Sequence, residues 1–260
     1  MDALSSVVSR LQMAQHVVIF TGAGVSAESA IPTFRDALTG LWSRYDPSLL
    51  ASPEGFLSDP DLVWGWYEWR RRKSLLAAPN AAHRSIAALA NCLPELTLIT
   101  QNVDNLHERS GSSPVLRLHG SLHHPRCFNC ATPYPLPEGI PDEPDGGRRL
   151  PPPRCGRCGG PVRPGVVWFG ESLPEPIWKQ AEQATDHCDL LFSIGTSSLV
   201  WPAAHLPFQA KQNGATVVQV NPNATTLDPV ADYNLRGLAG EIMPSIFHSL
   251  QSSLAARSAP

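Results

Sequence analysis

No stretch of this 260-residue chain approaches the roughly 20 consecutive apolar residues that a membrane-crossing helix needs. The opening segment MDALSSVVSRLQMAQH also lacks the charged start and apolar centre of an export signal. It is amphipathic instead, and a cytoplasmic protein is the expectation. Charge of one sign is equally scarce. With 20 Lys and Arg against 23 Asp and Glu, the net charge of −3 gives no overall electrostatic footprint for nucleic acid or an anionic membrane, so neither is expected as a partner. No internal repeat is visible.

What is present suits a globular enzyme with one large core or two smaller ones. Short apolar runs at residues 17–20, 96–100, 115–118, 166–169, 190–194 and 216–220 predict strands. Helical spacing at residues 2–14, 80–93, 175–187 and 202–213 alternates with them, which argues for an α/β doubly wound parallel sheet. Two stretches fall outside this alternation. Residues 36–74 read as a helical insertion, and residues 122–164 are rich in proline and loops and carry paired cysteines. Together they predict a smaller, discontinuous domain beside a large one formed by residues 1–35, 75–121 and 165–260.

The run Val17 to Phe20 breaks at once into Gly22-Ala23-Gly24, and glycines in a strand-to-helix turn let backbone N–H groups approach a phosphate. A dinucleotide site is one reading. A merely structural tight turn is the other, because Ala27 stands where the dinucleotide fingerprint has its third glycine. The cysteines speak more clearly. Cys127-x-x-Cys130 and Cys155-x-x-Cys158, separated by 24 residues, have the spacing of a tetrahedral zinc site, and four thiolates close the coordination sphere. Such a zinc is structural, with no position left for an activated water. Cys92 and Cys188 lack partners of this kind and read as small buried hydrophobes.

Thr100 to His107, TQNVDNLH, begins where a predicted strand ends, so Gln101, Asn102 and Asp104 gather at the carboxyl edge of the sheet. Their amides and carboxylate suit a carboxamide or a ribose. The same residues also suit an Asx-turn capping a short helix at residues 103–109. His119, just past another strand, is a candidate acid–base group. His107, His123 and His124 are weaker candidates.

Taken together, GAGVSAESAIPTFR, TQNVDNLH, LHG, the two C-x-x-C pairs, VVWFGE, GTSSLVWP and VNPNAT resemble the sirtuins, NAD-dependent protein-lysine deacylases, over residues 17–244. The resemblance implies a Rossmann-like large domain and a small domain holding a four-cysteine zinc module. It implies that Gly22, Ala23, Gly24, Phe34, Arg35, Gln101, Asn102, Asp104, Gly195, Thr196, Ser197 and Asn221 hold NAD. His119 as general base and Asn102 would be the catalytic residues. The products would be nicotinamide, free lysine and O-acyl-ADP-ribose. The acylated peptide would lie extended between Phe169-Gly170-Glu171 and the segment ending at Val200. Mono-ADP-ribosyl transfer, or NAD and acyl-lysine binding without turnover, are the alternatives.

Acyl preference turns on the insertion. Tyr67 and Arg70 share a face at i, i+3 on a helix predicted over residues 61–77, and a tyrosine hydroxyl beside a guanidinium can receive a carboxylate. Tyr-x-x-Arg resembles the sirtuin class that removes succinyl and malonyl groups, and Ala51 matches the small residue giving that class room for a longer chain. A solvated basic run over residues 70–73, with Tyr67 packed among Trp64, Trp66 and Trp69, is the competing reading.

Overall fold

The computed structural model describes residues 2–31 and 46–258. In chain order the strands are β1 (His16–Thr21), β2 (Glu95–Thr100), β3 (Val115–Arg117), β4 (Gly120–Cys127), β5 (Val162–Val166), β6 (Leu190–Ile194), β7 (Thr216–Val220) and β8 (Tyr233–Leu235). Six of them form one sheet in the order β3-β2-β1-β6-β7-β8, with every pairing parallel. The apolar runs could not alternate with polar residues because both faces of the sheet are covered.

The helices are α1 (Ala3–Leu11), α2 (Gly24–Ala27), α3 (Pro47–Leu50), α4 (Pro53–Ser58), α5 (Pro60–Leu76), α6 (Ala81–Leu89), α7 (Leu106–Arg109), α8 (Glu175–His187), α9 (Leu206–Gln212) and α10 (Ala239–Ser258). Val17 and Ile19 of β1 point into a core shared with α1, α6 and α10, where Val7, Leu11, Ile86, Met243 and Ile246 are buried. Val18 and Phe20 point the other way, against Ala181 of α8 and Leu206 and Ala210 of α9. The period-2 side-chain alternation of a strand thus separates two core layers.

A third cluster lies apart from the sheet. Leu50, Phe56, Val63, Trp66 and Tyr67 from α3, α4 and α5 bury against Leu122, Val166 and Trp168. Here β4 and β5 pair antiparallel, with an irregularity between Ser121 and Arg126. Residues 128–161 are loop-rich as expected, while the two ends of the 122–164 segment pair as strands that Pro125 and Pro164 conceal.

Several boundaries move for local reasons. The strand expected at residues 166–169 ends at Val166, because the Val167 N–H donates to His119 O at 2.9 Å and the Phe169 N–H to Ala51 O at 2.9 Å, drawing the chain away from the ladder. The helix expected over residues 80–93 stops at Leu89, and the Cys92 N–H closes a tight turn on Leu89 O at 2.9 Å. Residues 202–213 divide into a 3-10 turn, Ala203–His205, and α9. Cys188 is buried as expected, whereas Cys92 is half-buried at the edge of the first core. Neither β8 nor α10 is foreseen by the sequence reading, and Pro244 inside α10 interrupts its pattern.

The sheet order reverses between β1 and β6, since β2 and β3 lie on one side of β1 while β7 and β8 continue beyond β6. Ligands of open α/β folds sit beyond the carboxyl ends of the strands at such a switch point. No helix among the described residues is long and apolar enough to cross a membrane.

Candidate active site

The loops after β1 and β6 interlock. The Gly22 N–H donates to Ile194 O at 3.0 Å, and the Gly24 N–H to Gly195 O at 2.8 Å. A Cβ on Gly24 would lie 2.7 Å from Gly195 Cα, and one on Gly195 would lie 2.4 Å from Val25 N. Gly195 also has φ of +61°, a left-handed conformation that glycine adopts without strain. Both of these N–H groups are spent on the neighbouring loop, so the glycines also serve close packing of the two loops.

Thr196 ties three loops together. Its hydroxyl accepts from Gln101 Nε2 at 3.1 Å, and its carbonyl accepts from Asn221 Nδ2 at 2.9 Å. Ser197 beside it is exposed. Of the residues the resemblance assigns to NAD, Phe34 and Arg35 lie outside the described residues. The others converge at the carboxyl ends of β1, β2, β6 and β7.

Asn102 and Asp104 meet at Ser26, whose hydroxyl accepts from Asn102 Nδ2 at 3.1 Å and donates to Asp104 Oδ2 at 3.0 Å. The other Asp104 oxygen accepts from the Leu106 N–H at 3.0 Å, forming the anticipated Asx-turn and delaying the helix start to Leu106. Burial raises the Asp104 carboxyl above its usual range, against the pull of the Leu106 and Ser26 hydrogen bonds. Arg117 holds Glu108 through Nε at 2.7 Å and donates to Asn102 O at 3.3 Å. Behind Ser26, His83 is lowered to about 4 by burial and stays neutral. Sequence reasoning missed Ser26, His83 and Arg117. Ser26 alone had a signal, its place within the glycine motif.

His119 is half-buried, with Nδ1 3.1 Å from Gln101 O. A carbonyl oxygen only accepts, so Nδ1 carries the proton and Nε2 presents a lone pair. Burial lowers the imidazole below its ordinary value, partly offset by this hydrogen bond. Such a group is a neutral base at pH 7.

The Val167 to Glu171 segment links His119 to the helical insertion. It bonds His119 O at one end and, through Phe169, Ala51 O, while the Glu171 N–H closes a turn on Trp168 O at 3.0 Å. Ala51 is buried. Phe169, at the exposed Gly170 turn, is 52% exposed, and across the site Val200 is 38% exposed. Two of the N–H groups on the expected peptide-binding turn are therefore already engaged.

Tyr67 is buried, its ring edge-on to Trp66 at 4.7 Å, and its hydroxyl accepts from Trp168 Nε1 at 3.0 Å. Burial raises the phenol to about 12. The Arg70 guanidinium lies 5.7 Å from the Tyr67 ring centre and 4.9 Å from that of Trp66, on the same helix face. The basic run is not a uniformly solvated face: Arg71 is buried and paired with Glu68 at 2.8 Å, and Arg72 pairs with Asp145 at 2.9 Å.

The four cysteines gather with their sulfurs all within 4.8 Å of one another. Tetrahedral Zn–S bonds of about 2.3 Å imply S···S separations of roughly 3.8 Å, so the donor set fits zinc in size and chemistry. Each pair is folded by the same two bonds. The Cys127 N–H reaches Thr132 O and the Cys155 N–H reaches Gly160 O, both at 2.8 Å, while the Ala131 and Gly159 N–H groups return to Cys127 O and Cys155 O at 3.1 and 2.9 Å. Ala131 at φ +56° occupies the left-handed position that Gly159 holds at +71° in the other knuckle.

Residues 22–202 match the profile of the Sir2 family. An NAD-dependent protein deacylase of Methylococcus capsulatus is 65% identical over 253 residues, covering 97% of this chain and 99% of its own. NAD-dependent protein deacylase 1 of Pseudomonas aeruginosa is 57% identical over 245 residues, covering 94% and 97%. Among solved structures, a Sir2 homologue in complex with NAD superposes with TM-score 0.89 at 44% identity, covering 98% of this chain and 95% of that one. The chain belongs to the Sir2 family.

One zinc per chain is the expected result of elemental analysis on a reduced preparation. Cys127→Ser or Cys155→Ser should lower the unfolding midpoint of the cysteine-bearing region, because metal binding energy is part of its folding energy. An active, reduced preparation containing no metal would contradict the assignment.

Proposed function

We propose that this chain uses NAD to remove acyl groups from protein lysines, taking succinyl and malonyl groups and acetyl groups as well. Its relatives of 65% and 57% identity, matched nearly end to end and named NAD-dependent protein deacylases, support the activity. A Sir2 structure bound to an acetylated peptide, 27% identical with TM-score 0.81, and one bound to a myristoylated histone peptide, 32% identical with TM-score 0.77, support acyl-lysine proteins as partners. The observation that carries the reading is His119, with its unprotonated nitrogen and its backbone tied to the segment that leads to Ala51.

When bound, NAD supplies a ribose carbon that the acyl oxygen attacks as nicotinamide departs. His119 Nε2 is the base that takes a proton from the ribose hydroxyls. Gln101, Asn102 and Asp104, held by Thr196 and Ser26, would line the nicotinamide and ribose end. Rigidity matters because positioning supplies much of the acceleration in such a reaction. Gly195, Thr196, Ser197 and Asn221 would hold its phosphates and adenosine. The zinc is structural. The separate third cluster supports a small domain of residues 36–74 and 122–164 beside the NAD-binding remainder.

His119→Ala should lose at least about 10²-fold in kcat/KM, in the range of a general base. In the wild-type enzyme the neutral imidazole is the active form. Activity should therefore be present above its lowered pKa and vanish as pH falls through it, placing the acid limb below about 6.5, the ordinary histidine value. A limb centred above pH 7, or near wild-type turnover in a folded His119→Ala, would overturn the assignment.

Arg70→Met should lower the succinyl-to-acetyl efficiency ratio about 10- to 100-fold, the worth of a hydrogen bond to a charged group. Tyr67→Phe should act in the same direction by less. Matched succinyl-lysine and acetyl-lysine peptides, with and without NAD, followed by mass, give the ratio. An unchanged ratio in Arg70→Met would remove the carboxylate reading.

A further inference from the structure

We propose that Trp168 sets the polarity of the acyl pocket: its indole N–H turns the proton of the Tyr67 hydroxyl away from itself, so that Tyr67 and Arg70 both present donors to an acyl carboxylate. This inference rests on the reading of Tyr67 and Arg70 given above and adds a specificity-determining residue to it.

An indole N–H can only donate, so at 3.0 Å from Trp168 Nε1 the Tyr67 oxygen must accept. The phenol proton then has to point elsewhere. A guanidinium has no lone pair to offer, so Arg70 cannot receive it. Among the described residues no other group accepts from the Tyr67 hydroxyl. Glu171, the carboxylate whose charge reaches Tyr67, is engaged by the Arg163 guanidinium at 2.9 Å and by the Trp168 N–H at 2.8 Å. A buried donor without an acceptor carries a desolvation cost, which a ligand removes if it brings an oxygen. A carboxylate brings two and needs no donor in return. An acetyl methyl brings none, and a primary amide brings one neutral oxygen in place of two that share a charge.

The indole is held against rotation. Arg163 Cζ stacks 3.5 Å from the centre of the Trp168 ring, the Glu171 carboxylate grips Arg163 from the other side, and the next residue is bonded to Ala51 O. Trp168 is 2% exposed and packs on Phe56 at 5.4 Å between ring centres. This half-buried ion pair thus reaches the acyl pocket through one aromatic ring.

The test compares three lysine peptides of equal sequence bearing succinyl, its neutral primary-amide counterpart succinamoyl, or acetyl. The wild type should favour succinyl over succinamoyl. Trp168→Phe, which keeps a ring and loses the N–H, should reduce that ratio about five- to tenfold, the worth of one hydrogen bond. In a Tyr67→Phe background the same change should have no further effect on the ratio, because the hydroxyl it orients is gone. Zinc content and the thermal unfolding midpoint report whether each variant is folded. If Trp168→Phe does not fold, benzothienylalanine at position 168 replaces the N–H by sulfur at nearly the same shape. An unchanged ratio in a folded variant, or an equal fall with and without the Tyr67 hydroxyl, overturns the role of Trp168. Arg70→Met separates the two readings: if it lowers the ratio while Trp168→Phe does not, only the role of Trp168 fails. If neither moves the ratio, the carboxylate receptor itself fails with it.

Discussion

The site depends on two backbone loops meeting at closer range than any side chain permits. Where the sheet order reverses, the turn after β1 donates the Gly22 and Gly24 N–H groups to Ile194 O and Gly195 O at the end of β6, and a Cβ on Gly22, Gly24 or Gly195 would fall within 3.0 Å of the opposing loop. That contact places Thr196 where Gln101 and Asn221 can both bond it, and places Ser26 between Asn102 and Asp104. The polar groups at the carboxyl ends of β1, β2, β6 and β7 therefore form one rigid framework, and the steric condition that creates it is met by glycine alone.

On this framework the pocket is built largely by burial acting on charge. Burial lowers His119 and leaves it a neutral base, and it raises Tyr67 so that the phenol keeps its proton. Hydrogen bonding then decides which atom does what: Gln101 O fixes the tautomer of His119, and Trp168 fixes the direction of the Tyr67 hydroxyl. The two ends of the pocket are joined by one short segment, since Val167 is bonded to His119 and Phe169 to Ala51. His119 and Ala51 are thus coupled through backbone rather than through the sheet.

Much of this could be read from short spacings. The two C-x-x-C pairs, the glycine turn and TQNVDNLH each concentrate their chemistry within a few residues, and the apolar runs of the central sheet are continuous because both faces are buried. What escaped depends on partners distant in sequence. Ser26 meets His83 and Asp104, and Trp168 meets Tyr67, contacts that no local pattern encodes. Proline concealed β4, β5 and α10, because a local reading treats it as a breaker, whereas Pro164 sits in an antiparallel strand and Pro244 within a helix. The glycines were recognised, but the loop interlock was not: it demands the same residue type as phosphate approach and depends on the position of β6, which no local pattern gives.

The interlock is tested most directly by Gly195→Ala, read by urea unfolding and by NAD affinity in the same preparation. The added methyl would lie 2.4 Å from Val25 N at a residue with φ of +61°, so the loops must separate. A stability loss of roughly 1–3 kcal/mol is expected from strain of this kind, with NAD affinity falling at least tenfold as Gln101, Thr196 and Asn221 lose register. A Gly195→Ala protein with wild-type unfolding midpoint and wild-type NAD affinity would contradict the account.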